Sequence, residues 1–168
     1  MDLNIRGRKA VITGGSKGIG RAVADRLASE GVDVHLVART PETLEATVSE
    51  LKNDYGINAS FSALDLSVSA NIDRLFADCS DPIDILVNNA GAIPGGSMDL
   101  VVEDTWREAW DLKVFGYINM CRLAYARMRD VGQGVIINII GAAGERPSQG
   151  YIAGSGGNAS LMLSLIHI

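Results

Sequence analysis

The sequence predicts an α/β domain built on a doubly wound parallel sheet, and three observations predict it. Short runs rich in Val and Ile alternate with amphipathic stretches along the whole chain. Most of those runs are nearly continuous in apolar residues, as strands covered on both faces should be. A glycine-rich turn joins the first run to the first helical stretch.

In chain order, KAVIT (9–13), VDVHLV (32–37), NASFSAL (58–64), IDILVN (83–88) and GVIINII (134–140) read as strands. Helical stretches fall between them at 18–30, 41–54, 69–79 and, as one long helix, about 103–130. No repeat or linker breaks the alternation, so residues 1–162 are expected to form one domain. A last helical stretch carries Gly154, Gly156 and Gly157, each costing about 1 kcal/mol against Ala, and is expected to be weak.

Composition limits the function classes. The 168 residues are 47% hydrophobic, enough for a real core, and the net charge of −5 is spread without acidic or basic blocks. Nothing points to nucleic acid or an anionic membrane as partner, and no apolar run reaches the ~18–20 residues of a span. The N-terminus enters a core strand without a signal-like segment, and Cys79 and Cys121 are isolated. A reduced, cytoplasmic protein is expected. His35 and His167 are the only histidines, so no metal site is expected.

The turn TGGSKGIG (13–20) carries the chemistry. Gly14, Gly18 and Gly20 let the backbone turn tightly and approach a pyrophosphate, with Ser16, Lys17 and Ile19 beside it and the helix N-terminus facing the charge. At the end of the second strand stands Arg39, where an acidic residue would serve a ribose hydroxyl. A cation there, with Lys17 nearby, suits a 2′-phosphate, so NADP(H) is favoured over NAD(H). Asp65, followed by Leu66, ends the third strand and is placed to accept from an adenine amino group or to cap the next helix. NNAG, with Asn89, Ala90 and Gly91, ends the fourth strand at the ligand-binding edge of such a sheet. Trp106 and Trp110, at i, i+4 spacing, read as packing residues.

Together these motifs resemble the short-chain dehydrogenase/reductase family. The resemblance implies a Rossmann-type sheet, hydride transfer between a nicotinamide dinucleotide and a small carbonyl or alcohol, and a homo-oligomer in the full-length parent. It also implies an Asn–Ser–Tyr–Lys tetrad, in which lysine lowers the phenol from its free pKa of about 10. Two registers compete here. Anchored on Tyr151, the lysine position holds Ser155 and the serine position Asn138. Anchored on the flanks WREAWDLKVFG, NIIGAAG and AGSGGNASL, the four positions hold Lys113, Gly141, Gly154 and Asn158. Three flanks agree on the second register, which leaves the standard tetrad wholly substituted. Tyr151, one helical turn before Gly154, and Lys113 remain the candidates for a displaced acid/base pair.

A family member would continue past Met162 with further strands, so strands one to five are expected here and the C-terminal ones are not. Residues 163–168, LSLIHI, match a translated sequencing-adapter end and are expected to be a foreign tail on a truncated gene. Three readings stand: an NADP(H)-dependent oxidoreductase of unorthodox tetrad, a catalytically silent dinucleotide binder, and a non-binding interaction subunit.

Overall fold

The computed structural model describes residues 3–79 and 82–164. Of the expected foreign tail only residues 163 and 164 are described, and His167 also lies outside the described residues.

Five strands form one parallel sheet: β1 (Lys9–Thr13), β2 (Asp33–Ala38), β3 (Ala59–Ala63), β4 (Ile85–Asn88) and β5 (Val135–Asn138), in the order β3-β2-β1-β4-β5. The helices are α1 (Gly18–Ser29), α2 (Pro41–Tyr55), α3 (Ser69–Asp78), α4 (Glu103–Trp110), α5 (Gly116–Val131) and α6 (Ile152–Ser164). The period-2 alternation of the strands divides the core. Ala10, Ile12, Val34 and Leu36 pack with α1 and α2, through Ala24, Ala28, Leu44 and Leu51. Val11, Val37 and Leu86 face the other way, onto Ile72 and Leu75 of α3 and Met120 and Ala124 of α5. Chain order reverses between β1 and β4, and the crevice at their carboxyl ends is where such sheets hold ligands.

Two expectations are corrected. The long helix is not continuous: residues Asp111–Phe115 form a π-helical segment between α4 and α5. The wider turn brings Val114 and Tyr117 to full burial with Lys113 half-buried beside them, and Gly116 lets the backbone lie against the Leu66 carbonyl. Two strands are not covered on both faces. β3 and β5 are the sheet edges, and Val135 and Ile137 of β5 are exposed. The last, glycine-rich helical stretch is present as the 13-residue α6. A Cβ at Gly156 would lie 3.4 Å from the Trp110 ring, and one at Gly157 within 3.3 Å of Val114, Ile93 and Trp110. Close packing against those side chains offsets the propensity that glycine lacks. Trp110 fixes the contact by donating its Nε1–H to the Ala153 carbonyl at 2.9 Å, and Trp106 leans on it at 6.1 Å between ring centroids.

Candidate functional site

The glycine turn and NNAG lock onto each other through Thr13, the last residue of β1. Its Oγ1 accepts from the Asn89 N–H at 2.9 Å and the Ala90 N–H at 3.0 Å, and Thr13 is only 1% exposed. Asn89 Nδ2 returns the contact, donating to the carbonyls of Thr13 at 3.1 Å and Gly14 at 3.2 Å. Gly14 takes a positive φ of 65°, a conformation that costs an L side chain. Gly20 faces back into the turn, where a Cβ would overlap the Gly14 carbonyl oxygen. The first turn of α1 has no side-chain cap and no acidic residue, so its N–H groups and dipole face the crevice uncompensated by protein charge. Ser16 is half-buried in this loop, Lys17 and Gly18 are exposed, and Ile19 presents a side chain 61% exposed.

Arg39 is exposed just beyond β2, and its charge acts on Asp65. Asp65 is held below the ordinary carboxylate range chiefly by the backbone N–H and hydroxyl of Ser67, at 2.9 and 2.7 Å from Oδ1, with Arg39 contributing less. One Asp65 oxygen thus closes a local turn ahead of α3. The Leu66 side chain is buried in the α3–α5 core, so what it presents to a ligand is confined to its backbone. Gly91 is exposed and lies against the aliphatic stem of Lys113.

The structure brings together the positions of the second register. The Gly141 N–H donates to Asn158 Oδ1 at 2.8 Å, and Asn158 Nδ2 donates to the Gly154 carbonyl at 2.8 Å. Asn158 therefore spends its amide joining the segment after β5 to α6, and neither glycine carries a group for acid/base work. The Tyr151 ring occupies the space into which a Gly154 side chain would project. A single parallel bridge to Gly96 fixes Tyr151 at the mouth of α6.

Lys113 does not hydrogen-bond Tyr151. Its Nζ donates to the Tyr117 hydroxyl and to the Ile139 carbonyl, both at 2.7 Å, and lies 4.2 Å from the Tyr117 ring centroid. Tyr117 is 2% exposed, and burial pushes its phenol well above the ordinary range. Neither Tyr117 nor the Asn158 bridge was evident in sequence. The i, i+4 spacing of Lys113 and Tyr117 was the available signal for the first.

Burial also pushes the Lys113 ammonium from 10.5 down to about 8. The unfolded chain then binds the extra proton between those values, so this group's contribution to stability rises as pH climbs from 8 to 10.5. Below that window its burial penalty is present in full. With the amines labelled by ¹³C-methylation, one of the four lysine NMR signals, distinct from that of the N-terminal amine, is expected to titrate at about 8 and to vanish in Lys113→Met. A Lys113 signal titrating at 10.5 or above would refute the burial.

Beneath the site, Asn88 of β4 is wholly buried and donates Nδ2 to Asn138 Oδ1 of β5 at 2.9 Å and to Cys121 Sγ at 3.3 Å. Cys121 is buried and Cys79 half-buried. Among the described residues no helix is long and apolar enough to cross a membrane, and no three His, Cys, Asp or Glu side chains group to hold a metal.

Comparison with known proteins agrees with this architecture. The family model described as short chain dehydrogenase matches residues 8–162. The chain is 31% identical over 150 residues to the Uncharacterized oxidoreductase YvaG of Bacillus subtilis, covering 89% of this chain and 56% of that protein. It is 37% identical over 138 residues to the 2,3-dihydro-2,3-dihydroxybenzoate dehydrogenase of the same organism, covering 80% of this chain and 52% of the relative. The structure of L-sorbose reductase from Gluconobacter frateurii, complexed with NADPH and L-sorbose, superposes with a TM-score of 0.90 at 31% identity, over 96% of this chain and 63% of that one. The chain thus spans little more than half the length of these curated relatives. With the glycine turn, the NNAG clamp and the sheet order in agreement with the match over 8–162, the chain belongs to the short-chain dehydrogenase family.

Proposed function

We propose that residues 1–162 are the cofactor-binding domain of an NADP(H)-dependent oxidoreductase acting on a small carbonyl or alcohol. The observation that carries the reading is the cradle between β1 and β4. A glycine turn closed by Thr13 and Asn89 faces an uncapped helix N-terminus, and Arg39 stands at the end of the neighbouring strand. Those residues fit a nicotinamide dinucleotide. With no Cβ at Gly20 the first turn of α1 closes onto the Gly14 carbonyl oxygen, which sets that turn's uncapped N–H donors where they would meet a pyrophosphate. Gly14, Ser16, Lys17, Gly18, Ile19 and Gly20 would hold the phosphates, Arg39 a 2′-phosphate, Asp65 and Leu66 the adenine side, and Asn89, Ala90 and Gly91 the ribose and nicotinamide side. When bound, the group supplies a hydride or its acceptor.

Tyr151, whose ring fills the place of a side chain at 154, is left as the candidate for proton transfer, since the Lys113 ammonium turns away to Tyr117 and the Ile139 carbonyl. A second reading, a dinucleotide binder without turnover, is favoured by one contact: Asn158 bridges Gly141 and Gly154 with a neutral amide where the chemistry needs charge. Association of the protein into a homo-oligomer is proposed, with the exposed Phe115 and Tyr125 as apolar surface for it.

Titration of the chain with NADPH and NADH, followed by nicotinamide fluorescence, tests the first reading. Arg39→Ala is expected to weaken NADPH about 10- to 100-fold, the loss of one or two charge-assisted bonds, and to leave NADH unchanged. Equal losses for both cofactors would remove Arg39 from the 2′-phosphate. No binding of either would end the reading.

A further inference from the structure

Away from the crevice, the second face of β2 and β3 carries a polar cluster that the dinucleotide site does not use. Val34, Leu36 and Ala59 turn toward α1 and α2, so the intervening His35 of β2 and Ser60 and Ser62 of β3 turn the other way. Because β3 is an edge strand, α3 and α5 cover β1 and β4 but leave this corner as an open groove of about 520 Å³. The register sets His35 opposite Ser60, with Ser62 two residues on. The imidazole sits between the two hydroxyls, Nδ1 at 2.8 Å from Ser60 Oγ and Nε2 at 2.9 Å from Ser62 Oγ.

A neutral imidazole donates through one nitrogen and accepts through the other, so one serine must give its hydroxyl proton to the ring. Burial pushes the His35 imidazolium below 6.5, which keeps the accepting nitrogen available near neutrality. Lys9, Asp33 and Asp78 are the charged residues that share the groove.

We propose that Ser62 is a nucleophile toward small activated acyl esters, with His35 Nε2 as its base and Ser60 orienting the ring through Nδ1–H. Nucleophile, base and orienting group stand in hydrogen-bonded series beside a groove whose wall at Pro82 and Ile83 is apolar enough to seat an aryl ester. Ser62 Oγ bonds to the acyl carbon and the bond to the aryloxide breaks. The hydroxyl proton passes to His35 Nε2 and from there to the aryloxide. Water then cleaves the acyl-serine by the same proton path, releasing the acid and restoring the hydroxyl.

The test is incubation of the chain with p-nitrophenyl acetate, reading nitrophenolate release and locating the acetyl group by peptide mass spectrometry. One acetyl on Ser62 is expected, with release slowed about 100-fold in Ser62→Ala and in His35→Gln, the usual scale of general-base assistance. The urea midpoints of both variants check that they fold. An acetyl on Ser60 or on a lysine, or unchanged release in both variants, overturns the proposal. No nicotinamide cofactor enters the assay, so its result is independent of the dinucleotide reading.

Discussion

Gly20→Ala is expected to remove most of the affinity for NADPH and to lower the stability of the chain by about 1–3 kcal/mol, the usual range for forcing a methyl group into a packed site. The added Cβ would overlap the Gly14 carbonyl oxygen and lie 2.5 Å from Asn89 Nδ2. Neither neighbour can swing away. The carbonyl is backbone in a left-handed turn, and Asn89 is held by its bonds to Thr13 and Gly14. The first turn of α1 must therefore retreat from the glycine loop, which moves the N–H groups that would meet a pyrophosphate. Gly150→Ala is the control, since a Cβ there meets nothing within 4 Å. Urea titration and NADPH fluorescence read the two effects separately. Wild-type affinity in Gly20→Ala would mean that the close approach of turn and helix is not what shapes the cradle.

Thr13→Val is expected to cost about 2–4 kcal/mol, because the isosteric side chain leaves two backbone N–H groups without their acceptor. No cavity forms, so packing contributes little and the loss reports the hydrogen bonds to Asn89 and Ala90. Thr13→Ser keeps the oxygen and is expected to lose far less. The difference between the two urea midpoints is the measurement, and equal midpoints would show that water replaces the threonine oxygen at no cost. Cofactor affinity should fall with Thr13→Val as well, since the same bonds hold NNAG against the glycine turn.

Much of this was legible in the sequence because it is local. Apolar runs bounded by turn residues give strands, and the observed strands and first three helices lie within two residues of the expected ranges. The glycine spacing and NNAG are also local, since each needs only a particular backbone path over a few residues. Exposure of β5 was not legible. Val135 and Ile137 read as buried, and only the sheet order shows that β4 is their single strand neighbour. The π-helical segment at 111–115 was hidden for a similar reason, as it follows from how Lys113, Val114 and Tyr117 meet the sheet.

By itself, then, the sequence determined the alternation of strands and helices, the glycine turn, the cation at Arg39 and the residue types that stand at Gly141, Gly154 and Asn158. These depend on residue type at a fixed spacing. Tertiary structure alone decided what those residues do to one another. Asn158 ties Gly141 to Gly154, the Tyr151 ring fills the gap over a glycine, and Lys113 turns to Tyr117 and Ile139. Each of the last two contacts answers a question of volume or charge burial. A ring settles where a side chain is missing, and a buried ammonium takes the nearest acceptors that folding brings within reach.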